Sequence, residues 1–281
     1  MPVRESPPPQ LSEIGEDAAP EATARIYDEI RTYCGVRYVS SLQRYLASLH
    51  GVLEFAWGAL RPAFLDGSLP ETAWRRVAAL PGRPHPPLSP AALRLLGVDG
   101  ESTERIRGIC ESFIRVAPIN LLFAGCLERL LGGAWPEGVT KRESWQPPPM
   151  LAPLPPLVEA TAEPDDLRAV LSQLGTEIDG KPFVPGLYRL LARWPPYLAH
   201  AATMIGPELH SAAARVERAA IAERIVAAAD DILAGLPPLS DAHPPPGARE
   251  TRAILQAIGS YRVTSPEMIV FATRLRDALP A

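Results

Sequence analysis

Apolar side chains at Leu42, Tyr45, Leu46, Leu49, Leu53, Ala56, Trp57 and Leu60 recur at spacings of three and four, the pattern of one helix face. The same period predicts helices over 104–115, 119–131, 165–174, 187–205, 212–233, 250–261 and 266–279. Tight proline clusters at 7–9, 81–90, 147–156 and 237–246 punctuate these runs. The Ala117–Pro118 and Ser265–Pro266 pairs set a proline where the first turn of a helix tolerates it, so they predict helix starts. Nowhere do apolar and polar residues alternate with β-branched side chains, and no strand is predicted. The pattern is that of an all-α protein.

The helical runs also repeat. Residues 42–64 align with 187–209 at an offset of 145, matching Leu42 with Leu187, Arg44 with Arg189, Leu46 with Leu191, Leu53 with Leu198 and Pro62 with Pro207. Residues 103–131 align with 251–279 at an offset of 148, matching Thr103 with Thr251, Ser112 with Ser260, Pro118 with Pro266 and Phe123 with Phe271. The blocks are collinear, which predicts two tandem helical repeats closing on each other as an intrachain pseudo-dimer. The expected boundaries are a flexible tail over 1–16, a first repeat over 17–144, a proline-rich linker over 145–160 and a second repeat over 161–281. A pocket is expected where the repeats meet.

Composition narrows the function. The chain has 281 residues, 28 Lys+Arg against 32 Asp+Glu, and a net charge of −4, so it shows no basic excess for nucleic acid. Its 33 prolines, about 12% against a usual level of about 5%, together with many Ala and Arg, suggest a high-GC bacterial coding sequence. No run approaches the roughly 18 apolar residues of a bilayer span, and no apolar segment follows the first basic residue as in a signal peptide. Three cysteines, Cys34, Cys110 and Cys126, form no CxxC pair and predict reduced thiols in a cytoplasmic protein.

Phosphate-loop, dinucleotide, nucleophile-elbow and zinc-protease motifs are absent. His50, His85, His200, His210 and His243 show no metal-ligand spacing, so no metal and no cofactor are expected. The adjacent pairs Asp165–Asp166 and Asp230–Asp231 do not face each other on a helix.

Residues 36–57 (VRYVSSLQRYLASLHGVLEFAW), 117–130 (APINLLFAGCLERL), 150–161 (MLAPLPPLVEAT) and 187–198 (LYRLLARWPPYL) resemble the group I 2-haloacid dehalogenase family. The likeness follows the same order along most of the chain. It implies an all-α pseudo-dimer around a central pocket, and hydrolysis of 2-haloalkanoic acids by a water that displaces halide directly. That chemistry needs a carboxylate to deprotonate the water and an amide to orient it, a base being worth about 10²- to 10⁴-fold. By the resemblance, the base position falls on Leu187, followed by Tyr188 and preceded by Gly186. The amide position falls on Ala117, and two aromatic pocket positions fall on Tyr38 and Ser41.

Leucine cannot accept a proton. Asn120, one turn beyond Ala117, is a substitute amide, and Glu177 or Asp179 a substitute base. The expected pocket is lined by Tyr38, Ser41, Arg44, Ala117, Asn120, Gly186, Leu187 and Tyr188, with Arg44 or its counterpart Arg189 available to clamp a carboxylate unless nearby acids claim them. Three readings follow: a homologue that binds a small carboxylic or apolar molecule without conventional dehalogenation; an active dehalogenase using displaced polar groups; a non-enzymatic helical interaction protein. The first is preferred. Neither nucleic acid nor a membrane is an expected partner, and a homodimer is one arrangement open to the chain.

Overall fold

The computed structural model describes residues 13–78, 84–136, 138, 145–159, 162–178, 181–239 and 244–280. The fold is all-α. In order it comprises α1 (Glu21–Cys34), α2 (Ser41–Ser48), α3 (Val52–Leu65), α4 (Ser68–Ala78), α5 (Pro90–Leu95), α6 (Gly100–Leu131), α7 (Asp165–Gln173), α8 (Gly186–Leu191), α9 (Pro195–Leu209), α10 (Ala212–Val226), α11 (Ala229–Ala234) and α12 (Ala248–Asp277).

Two long helices, α6 and α12, form the centre and make the most extensive helix pair. They run antiparallel: the Arg107 side chain on α6 bonds the Pro280 carbonyl beyond one end of α12, while Arg262 on α12 pairs with Glu128 near the other end of α6. Asp99 caps α6 by accepting the Ser102 amide at 2.8 Å. From Val116 to Leu127 every residue of α6 is buried, so this stretch is apolar all round because protein surrounds it on all sides. By length and composition α6 could cross a bilayer, an exception to the sequence expectation. Its most apolar window is 78% buried, as in a core helix.

The predicted starts at Pro118 and Pro266 are not starts: both prolines lie inside continuous helices. Each ring removes an amide that would reach back four residues, at a cost of about 3 kcal/mol. The burial of apolar side chains on both sides of each proline offsets it. Conversely, the run from Leu42 breaks at Gly51, which has φ +73° and separates α2 from α3. The run from Leu187 breaks at Trp194–Pro195, and 212–233 splits into α10 and α11. Helical period survives a one-turn break, so pattern alone does not locate it.

A small antiparallel hairpin, β1 (Thr176–Ile178) and β2 (Lys181–Phe183), corrects the expectation of no strands. Three residues a side are too few to show alternation; the sequence signal is the Asp179–Gly180 pair between them. Those two residues lie outside the described ones.

Chain segments outside the helices are also held in place. Residues 13–16, assigned to the tail, are anchored: Ile14 donates its amide to the Arg44 carbonyl at 3.1 Å, and Glu16 accepts the Val39 amide at 2.9 Å. Linker residues 145–159 form no helix or strand and are bolted down by arginines. Arg115 donates to the Pro149 carbonyl at 2.7 Å, Arg189 to the Val158 carbonyl at 2.9 Å, and Arg193 to the Pro156 carbonyl at 3.2 Å. Extended proline-rich backbone leaves its carbonyls open to such donors.

One continuous apolar core runs from Tyr27 to Leu279. α8, α10 and α11 pack on α6, and α2 packs on α12. Elements from either side of the linker therefore share the core.

Candidate functional site

Helices α2, α6, α8 and α12 converge around the two internal prolines. At the first residue of α2, Ser41 Oγ hydrogen-bonds Tyr261 Oη from α12, and the same phenol accepts the Leu42 amide at 2.5 Å. Two residues on, Gln43 Nε2 donates to Asn120 Oδ1 of α6 at 2.8 Å, and Ser40 Oγ binds the Gln43 carbonyl oxygen. Tyr38, between α1 and α2, reaches the Ser112 carbonyl at 3.5 Å. Burial pushes the Tyr38 phenol well up and the Tyr261 phenol up, so both stay neutral.

The side facing α8 is drier. Gly186 opens that helix, and a Cβ there would stand 3.5 Å from the Phe113 ring of α6. Leu187 and Tyr188 are fully buried, Ala117 is 7% exposed and Asn120 4%. Of the positions assigned to the pocket, Tyr38, Ser41, Arg44 and Gly186 are half-buried.

Arg44 is not aimed at this site. Its Nε donates to Glu13 at 2.8 Å, and Glu16 lies 4.0 Å away. Arg189 is tied to Glu159 at 2.8 Å. Nearby acids thus hold both arginines. Glu177 is exposed on β1 and does not reach the site, and Asp179 lies outside the described residues.

Sequence reasoning missed one group that matters. Glu267, on α12 directly after Pro266, is 1% exposed and faces the Tyr188 hydroxyl and Arg218 of α10. Burial pushes its carboxyl up to about 7, the phenol and guanidinium opposing that shift. Tyr188 Oη, Glu267 Oε1 and one Arg218 nitrogen are buried without a partner of normal hydrogen-bond geometry. Beside the implied base position Leu187, Tyr188 thus leads to a buried ionisable oxygen other than the substitute bases named from the sequence. The signal was a single acid in the apolar run SPEMIVFA.

Among the described residues no three His, Cys, Asp or Glu side chains gather as a metal site. His243 lies outside them. Burial pushes the Cys34 and Cys110 thiols up to about 12, which makes them inert core groups.

Comparison with solved structures defines the class of fold. The chain is similar to D-2-haloacid dehalogenase in complex with L-LA, with a TM-score of 0.73 and 20% identity over 99% of this chain and 98% of that one. It is similar to a D-2-haloacid dehalogenase mutant in complex with D-2-CPA, with a TM-score of 0.72 and 19% identity over 94% of each chain. A further mutant gives 0.71 and 20% over 98% of each. No family model matches the sequence, and no curated protein matches it. This chain therefore has the all-α D-2-haloacid dehalogenase fold, on a sequence only 19–20% identical to those proteins.

Proposed function

We propose that the protein binds a small molecule where α2, α6, α8 and α12 meet, and that it does not hydrolyse carbon–halogen bonds by the route the resemblance implies. The observation that carries this is Leu187. It is apolar and sealed at the position implied for the base, with Ala117 at the position implied for the orienting amide. Asn120, the substitute amide, is already engaged by Gln43. With Arg44 and Arg189 held by acids, neither is free to clamp a carboxylate, which favours an apolar or neutral ligand over a carboxylic one.

The reading includes duplication. Ser41 meets Tyr261, and Gly186 meets Phe113; the offsets of 145 and 148 turn one contact into the other. Both long helices carry a proline at matched positions. These pairs support two repeats joined as a pseudo-dimer.

A second reading has its own observation. Among the described residues, Glu267 is the one buried acid close to the implied base position, its carboxyl pushed up to about 7 beside Tyr188. It would make the protein an active hydrolase by a displaced base. Halide release from both enantiomers of 2-chloropropionate decides between the two. We expect none from the wild type and a gain from the Leu187→Asp/Ala117→Asn double variant. Release by the wild type that Glu267→Gln abolishes would establish the second reading instead.

A further inference from the structure

We propose an anion site, separate from the one above, in the cleft between α4 and the α10–α11 corner, suited to a small molecule that carries a phosphate or pyrophosphate group. The cleft has a volume of about 790 Å³, within the range of small-molecule sites. Ser68, Thr72, Arg75 and Arg76 line it from α4, and Arg224 and Asp231 from the opposite wall. The α4 residues stand at spacings of four, three and one, so one helix face presents two hydroxyls and two guanidinium groups. The other face of α4, Leu69, Pro70 and Ala73, is buried in the core, which fixes that polar face towards the cleft.

Among the described lining residues, three arginines stand against one aspartate, a positive balance in a chain whose net charge is −4. Arg75 is steadied by Thr72 Oγ1 at 3.1 Å. Arg76 is half-buried and, among the described residues, makes no hydrogen bond or ion pair. Guanidinium groups on facing walls, with hydroxyls between them, call for a ligand with several acceptor oxygens pointing in different directions. A tetrahedral phosphate offers this and a planar carboxylate does not. The net charge of −4 argues against a nucleic-acid strand as the occupant.

The test is calorimetric titration of the full chain with inorganic pyrophosphate at low salt, with citrate as a carboxylate of similar charge. Saturable one-to-one binding is expected. Arg76→Ala and Thr72→Val should each weaken it, the arginine change by about ten-fold or more. Arg25→Ala, at an exposed arginine paired with Glu21 on α1, should leave it unchanged. Citrate should bind at least ten-fold more weakly. Absence of saturation with pyrophosphate, binding that survives Arg76→Ala in a variant with unchanged circular dichroism, or citrate binding as well as pyrophosphate would each overturn the proposal. None of these results depends on halide release.

Discussion

Glu267 shows how far one side chain can depart from its ordinary chemistry when helices close over it. Its carboxyl rises from the usual 4.5 to about 7 because burial penalises the charged form. A group whose pKa is higher in the folded than in the unfolded chain contributes stability that is complete below about pH 4.5. That contribution drains away as pH climbs to about 7, for a total of about 3 kcal/mol. Glu267→Gln has no proton to lose. Thermal melts across this window should therefore show the variant gaining on the wild type as pH rises and levelling off above pH 7; parallel curves would refute the assignment. Arg274 solves the same burial problem differently. Only 4% exposed, it is neutralised by Glu208 at 2.5 Å and Glu217 at 3.2 Å, and stacks 5.4 Å from the Phe271 ring centre.

Helices were legible in the sequence wherever an apolar stripe was long, and their ends were not. Period alone located α7 and the bulk of α6, α9, α10 and α12, yet it ran through the break at Gly51 and stopped at Pro118 and Pro266, where the helices continue. The difference is tertiary: a proline in an exposed helix ends it, while one in the central pair is carried by the packing around it. α1 and α4 lay outside the runs singled out by pattern. α1 ends at Gly35, whose φ of +64° lets its amide cap the Arg31 and Thr32 carbonyls. A Cβ there would also crowd the Arg115 guanidinium and Pro148 at 2.9–3.1 Å. Gly35→Ala should cost about 2 kcal/mol by chemical denaturation, from the left-handed backbone and the displaced linker together. A change below a few tenths would mean that neither constraint operates.

At the scale of the whole molecule, the sequence carried the architecture better than the chemistry. Fold class and element order follow from patterns spread over many residues. The site depends on single side chains whose partners are far apart in the sequence, such as Ser41 with Tyr261 and Tyr188 with Glu267. Arg44 and Arg189 illustrate the limit: their matching offset made them candidates for a clamp, and only the coordinates show Glu13 and Glu159 beside them. The shared core also makes a prediction. With α6 packed on α12 and with α8, α10 and α11, neither half buries its central helix alone. Fragments 1–144 and 161–281, expressed separately, should be largely unfolded by circular dichroism and should regain helix on mixing; a well-folded isolated half would contradict this.

The contacts at the mouths of α2 and α8 are unlike each other. One offers hydroxyls, Ser41 with Tyr261; the other offers a bare ring over a glycine, Phe113 with Gly186. A guest lodged between a wet wall and a dry wall can lie only one way round. A polar end would then face Ser41 and Tyr261 and an apolar end Phe113, whether or not a reaction follows.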